Sequence, residues 1–504
     1  MALLTSPIAA QTPMSAIDWL SDSVATPVAM PPETAPAPQD NTDVTKSAAV
    51  DEITVTTLGG PEIDAVGLLP VSVTGLPRDL WGSSNSADLV RLLRAEPAQA
   101  MPAMQSLQYL LLLAELDPPF DADGRGRLFL ARIDRLLDLG ALEQAQALLE
   151  RASSDTPELF RRTFDVGLLT GTEDRACATL RDHADIAPTY AARIFCLARN
   201  GDWDAAALTL GTAEALGFIS EEEDALLARF LDPELFEGEP PLPLPSRVTP
   251  LVFRMREAIG EPIPTAPLPL AFAQADLRTN AGWKSQIEAA ERLARTGAIG
   301  ETRLLGIYTA NKPAASGGVW DRVKALQEFD AAIQAHDTEA VATTLPRVWT
   351  AMRQAQLEVP FARLYAESLA RLALSGTADK LAFRIAMLSP AYEEIAGKHP
   401  ASDGHDRFLI SLAQGEMEDA VAKTALQRAV RDGFLKKEPP AGFAALLRDG
   451  RLGEALLKVP PLLQTGAAGD LQDLSDALAL LRQVGLEDIA RQTAFQVLLL
   501  NRHG

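Results

Sequence analysis

The sequence predicts an all-α fold, a solenoid of stacked helical hairpins behind an extended N-terminal region, and three observations carry that prediction. Six times a helical segment ends in glycine and an alanine stands five residues on: Gly140 and Ala145, Gly171 and Ala176, Gly201 and Ala206, Gly415 and Ala420, Gly450 and Ala455, Gly485 and Ala490. The first three glycines are 31 and 30 residues apart and the last three 35 and 35. A fixed period of this size marks units that bury their apolar faces only against a neighbour. Apolar residues also recur at helical spacing around these turns. Finally, the composition is 47% hydrophobic, led by Ala and Leu, with only 6% aromatic residues and few β-branched runs, which argues against a large sheet.

One unit reads as follows. Glycine ends the first helix because it reaches the left-handed backbone conformation without a steric penalty. Asp, Glu or Thr just after it can satisfy the free amides that open the second helix. The alanine is small, so two helices can approach closely where they cross. Three and seven places before the glycine stand Leu137 and Ile133, Leu168 and Phe164, Leu412 and Phe408, and Leu447 and Phe443. Nine places after it come Leu149, Leu180 and Leu210, which face the same seam from the second helix.

Gly-Asp-Trp-Asp-Ala-Ala at 201–206 and Gly-Glu-Met-Glu-Asp-Ala at 415–420 resemble the turn between the two helices of a tetratricopeptide repeat. Ala152 and Ala213, twelve residues after their glycines, fit that family's second small position. The early Trp and Leu-Gly of the family signature and its closing Pro are missing from every unit. The resemblance is therefore TPR-like and covers about half of the chain, close to the family's period of about 34 residues. It implies a superhelical surface that holds a protein or peptide.

From the N-terminus, Met1 to Gln11 resembles the last part of a secretory signal, with Ile8 and Ala10 at the cleavage-site positions. That reading predicts export, and an ordinary tail is its alternative. Residues 1–50 as a whole read as a disordered tail and linker, with Pro31-Pro32 and Ala35-Pro-Ala-Pro38 in the linker part. Within it, Ile17, Leu20 and Val24 share one face of a short helix, with Trp19 beside them. Two uses fit that segment: a docking peptide for another protein, or a cap folded back on the helices. Residues 51–85 form an extended segment, with strand-like alternation over Ile53–Leu58 and Pro70, Gly75 and Pro77 barring a long helix. Trp81 anchors it in an apolar pocket, of this chain or of a partner.

Helices then fill 86–234. A Pro-rich connection over 235–270, with a helix near 250–260 inside it, divides this first block from a second at 271–504. The second block opens with weaker units at Arg295-Thr-Gly297 and Leu374-Ser-Gly376. Between them, Asn311 to Trp320 is a long loop with two adjacent glycines, either a functional loop or a plain connection.

The formal net charge of −22 argues against nucleic acid and anionic membrane surfaces as partners. No stretch is apolar enough to span a bilayer; the most compact, Tyr109 to Ala114, is far too short. No phosphate-binding loop, zinc-protease helix or nucleophile elbow is present, so no catalytic residue, cofactor or metal is assigned. Asp121-Ala-Asp-Gly124 opens like a calcium loop, but Arg125 and Arg127 follow where acidic ligands belong. His399, Asp403, His405 and Asp406 gather in one loop and are the best metal-ligand set in the chain, with no distant pair to complete it. Cys177 falls in the second helix of one unit and Cys196 in the first helix of the next. Those helices are neighbours in a stack, so a disulfide between them fits the geometry in an oxidising compartment; elsewhere both are small buried hydrophobes.

The function expected is a non-enzymatic protein-binding scaffold or adaptor in the bacterial cell envelope, periplasmic by the signal-like start. The alternatives are the helical domain of a cell-wall-active enzyme and a cytoplasmic TPR-type regulator.

Overall fold

The computed structural model describes residues 19–20, 62–95, 100–152 and 156–500. The signal-like start, most of the linker, Ile17 and the strand-like Ile53–Leu58 lie outside the described residues. Among those described there are 25 α-helices and no strand; the one β-bridge is the parallel pair Leu69 and Ala114. Among the described residues no helix is long and apolar enough to cross a membrane.

The chain enters through α1 (Val71–Thr74), α2 (Ser86–Ala95), α3 (Pro102–Leu113), α4 (Arg127–Asp138) and α5 (Leu142–Ala152). Then come α6 (Pro157–Thr170), α7 (Glu173–Asp182), α8 (Tyr190–Arg199), α9 (Trp203–Ala215), α10 (Glu221–Leu231) and α11 (Pro250–Ala258). A 3₁₀ helix, Leu270–Leu277, leads to α12 (Trp283–Arg295), α13 (Glu301–Thr309), α14 (Val319–Gln334), α15 (Thr338–Gln354) and α16 (Glu358–Ala370). After these stand α17 (Gly376–Ala386), α18 (Tyr392–Lys398), α19 (Gly404–Gln414) and α20 (Ala425–Leu435). The last five are α21 (Ala441–Arg448), α22 (Leu452–Leu457), α23 (Val459–Ala467), α24 (Leu471–Gln483) and α25 (Glu487–Leu499).

All six glycines of the period have positive φ, between 69° and 86°. Each closes its helix in the same way: the amide after the glycine donates to the carbonyl five residues back, as Ala141 does to Leu136 and Asp202 to Leu197. All six alanines are buried, none more than 4% exposed. The last units are nonetheless not three like hairpins. Residues 416–424 are irregular, so Ala420 sits in a loop and the second helix starts only at Ala425, where Thr424 and Gln427 form a capping box. After Gly450, α22 lasts six residues before Pro460 and Pro461 open α23. Gly376 is likewise the first residue of α17 and does not close α16.

The same turn also occurs where no glycine announces it. His336 and Gln356 take positive φ, 52° and 57°, and Asp337 and Leu357 donate back to Ala332 and Met352.

The buried apolar side chains form two clusters, and their division is not at the Pro-rich connection. A small core is built from α6 to α11, around Phe164, Phe195, Ala206, Leu227 and Met255. A large core takes the rest, from Trp19 to Leu500. Helices α6 and α11 wall both: Phe160 and Phe164 face the small core while Leu159 and Val166 face the large one, and Met255 and Phe253 divide likewise. Helices α7 to α10 thus belong to the small core alone while α2 to α5 belong to the large one, so the first block is split and the two blocks share a core. An ion pair joins the cores, Arg162 to both oxygens of Asp134 at 2.7 and 2.9 Å, nearly buried.

In a stack whose units touch only their neighbours, the first and last helices stay apart. Here they meet. Helix α3 packs on α25 and α2 on α22; the amide of Ala103 donates to Gln496 Oε1 at 2.9 Å, and that of Gly453 to the Leu80 carbonyl at 2.8 Å. The entering segment at 62–70, a strap laid on the end of α3, is held by Arg132, which is buried and donates to the carbonyls of Leu112, Val66 and Ala114 at 2.8, 2.8 and 2.9 Å. Burial pushes its guanidinium down to about 10, against the pull of Asp64.

Candidate functional site

Trp19 and Leu20, read from the sequence as docking residues, are 1% and 0% exposed. Trp19 meets Phe272 edge to face with ring centroids 5.5 Å apart, and Arg247 donates to the Leu20 carbonyl at 2.9 Å. These two side chains lie in the large core and offer no surface to a partner, because their apolar area is covered by the chain itself. Ile17 falls outside the described residues. Trp81 is also internal, 2% exposed. It lies against Gly453, where a Cβ would come within 2.4 Å of the indole, so the glycine admits the ring.

The His399–Asp406 loop does not converge on a metal. Asp403 caps α19, accepting from the amides of His405 and Asp406 at 2.8 and 2.9 Å, and pairs with Lys380. The Lys380 ammonium holds its carboxyl well below the usual carboxylate range. Asp406 is buried and takes two bonds from Arg384, each 3.1 Å. His405 meets Gln427 at 3.1 Å, and burial with Arg384 nearby depresses its imidazole. His399 turns away, stacked on Phe383 at 4.3 Å. Cations already answer these carboxylates. Among the described residues no group of three or more metal-ligating side chains exists. Asp121 of the calcium-like stretch instead caps α2 by accepting from Ser86. The Asn311–Trp320 loop is a connection pinned at its end, where Trp320 packs on Trp283 at 5.1 Å.

What His399 does border is a cleft of about 340 Å³ between α16, α17 and α18. Its floor is apolar, from Leu369, Ala382, Phe383 and Ile395. Its rim holds two ion pairs, Arg371–Glu367 at 3.1 Å and Lys398–Glu394 at 2.6 Å. His399 Nε2 is 3.8 Å from Asp379, buried and without a hydrogen bond. The Lys398 ammonium lowers the Glu394 carboxyl, which keeps it ionised and unsuited to giving up a proton at neutral pH.

The second surface is the outer side of α9. The helix touches the small core through Ala206 and the partly buried Leu210, and its only buried residues are Ala206 and Ala213. Trp203, Leu208, Leu216 and Phe218, on the helix and the turn that follows, are 50%, 74%, 61% and 51% exposed. They account for four of the ten large hydrophobic side chains exposed among the described residues, so the apolar surface is concentrated here. Phe218 stacks on Tyr190 at 5.0 Å, which extends the patch to α8. Cys177 of α7 and Cys196 of α8 are disulfide-bonded, with Cα atoms 4.9 Å apart, which ties α8, against which α9 packs, to α7. Sequence reasoning passed over this patch. Its signal was there: Ala205 to Leu210 has no charge on either face.

No protein-family model, no curated protein and no solved structure matches the chain.

Proposed function

We propose that this chain is a non-enzymatic protein-binding scaffold of the bacterial cell envelope, working from the periplasmic side with a TPR-like array of helical hairpins. The observation that carries the reading is the apolar outer side of α9, with four large side chains exposed on the helix and the turn that follows it. An exposed apolar concentration of this kind marks an interaction surface more often than an incidental one. The recurrent glycine turns and buried alanines support the hairpin array, and the sequential packing from α6 to α11 is the part of the fold nearest a solenoid. The Cys177–Cys196 pairing supports an oxidising compartment, as does the signal-like start. The cell-wall-enzyme alternative would need a free glutamic acid on the wall of a groove. Both glutamates on the α16–α18 cleft are instead ion-paired.

The test is site-specific photo-crosslinking in the native organism, with the reactive side chain in place of Leu208 and, separately, of Phe120, exposed elsewhere. Fractionation of the same cells gives the compartment. A defined adduct from position 208 in the periplasmic fraction, absent from position 120, is the expected result. Cytosolic recovery with no adduct at either position would sink the reading.

A further inference from the structure

Resting on the scaffold reading, we propose that the outer face of α9 receives a basic amphipathic helix of a partner protein. The apolar strip runs along the helix at Ala207, Leu208, Gly211 and Ala215, all exposed, with Gly211 four residues after Ala207 and three after Leu208, and Ala215 four further on. That spacing lays them on one face. Small residues at 207, 211 and 215 let a second helix come close, and Leu208, with Trp203 and Leu216 at the two ends, supplies the large contacts.

Charge selects the occupant. From Gly201 to Ala228 the chain carries seven acidic residues and no Lys, Arg or His. Asp202, Asp204 and Glu214 flank the strip and are exposed, as are Glu221 and Glu222 at the start of the next helix. Glu222 is already held by Ser246, and Glu223 by Ser220. A second copy of this chain would bring the same acidic rim and a net charge of −22, so it is repelled. Residues 21–61 carry six acids against Lys46, so they are equally ill matched. A partner helix with an apolar stripe flanked by Lys and Arg answers both parts of the surface, and its charge steers the encounter.

The experiment uses the full chain with its disulfide intact. A fluorescently labelled helical peptide of about 18 residues, Leu on one face and Lys on the other, is titrated by anisotropy beside a peptide with Glu in place of Lys. The Lys peptide is expected to bind at least about tenfold tighter than the Glu peptide. A Leu208→Ser, Leu216→Ser variant is expected to lose about tenfold for the Lys peptide with an unchanged melting curve, since both side chains are exposed. Equal binding of the two peptides overturns the proposal, as does no binding of the Lys peptide. Full-strength binding by the serine variant also overturns it, because attraction to an acidic protein at large then explains the signal. The crosslinking test separates the readings: an adduct at 208 from a segment without basic residues, or from a second copy, keeps the scaffold and refutes this partner.

Discussion

The small core and the large core are made of the same helix–glycine–helix turn but are closed in different ways. In the small core the helices follow one another from α6 to α11, the last packs back on the first, and a disulfide ties α7 to α8. In the large core the ends of the chain are brought together, α3 on α25 and α2 on α22, around a strap fixed by one buried arginine. Local order thus holds the small core, and long-range contacts hold the large one. The helix left least covered, α9, belongs to the locally ordered part. There a neighbour is missing on one side, whereas in the large core closure brings the helices near the two ends of the chain against one another.

The largest expected effect breaks the strap. Arg132→Leu leaves the carbonyls of Val66, Leu112 and Ala114 buried without donors, and about 3–5 kcal/mol should be lost. Urea unfolding followed by hydrogen exchange should place that loss in the large core, with α7 to α10 protected as before. A loss below about 1 kcal/mol would mean that apolar contacts alone hold the strap. Next comes the disulfide. Its cysteines are 19 residues apart, and a loop of that size stabilises by about 3 kcal/mol. Cys177→Ser with Cys196→Ser should lower a small-core calorimetric transition and leave the large-core one in place. Equal shifts of both would show that the walls α6 and α11 make the two cores one cooperative unit.

Ala206 and Ala420 sharpen the comparison further. They occupy the same place in the sequence period, yet Ala206 lies in α9 at a helix crossing and Ala420 in a loop. Ala206→Leu should cost about 1–3 kcal/mol by overpacking, and Ala420→Leu less, because a loop yields more readily than two packed helices. Thermal melts of the two variants decide it; equal losses would count against this reading of the 415 turn. A smaller effect is expected at the turns without glycine. His336→Gly and Gln356→Gly each relieve a positive φ worth about 1 kcal/mol, part of which returns as unfolded-chain entropy. The net is a rise in melting temperature for each, or no change, whereas Gly201→Ala should lower it.

The legible and illegible parts of this molecule differ in kind. The turns were legible because a left-handed residue after an apolar helix is a one-residue signal, and Gly140, Gly171 and Gly201 carry it. His336 and Gln356 were not, since their conformation is imposed by the helices on either side. The burial of Leu137, Phe164, Leu168 and Leu412 followed from helical period alone. Which core each face would join did not, because Phe164 and Val166 stand on one helix and part only in the tertiary packing. The contact of Trp81 with Gly453 joins opposite ends of the chain, and no local pattern announces it. The α9 surface was readable in hindsight from its run without charge on either face. The α16–α18 cleft was only half so: His399 stood out as a rare residue, and its place on Phe383 and beside Asp379 is a product of the fold.

Acid gives the least of these effects. Asp403, on the large core at the start of α19, is held below its ordinary range by Lys380 and by the α19 amides. A carboxyl whose folded value lies below its unfolded value of about 3.9 stabilises fully above the unfolded value. That contribution fades as pH falls from about 4 through the folded value. The side chain is 36% exposed, so solvent screens the pair and the loss should stay under about 1 kcal/mol. Asp403→Asn keeps an N-cap but removes the titration, so the variant should flatten the stability curve between about pH 2 and 4. Urea midpoints of the wild type and the variant at pH 5 and 3, read by a probe in the large core, check this; the same fall in both would mean that the Asp403 charge contributes no stability through Lys380 and the α19 amides.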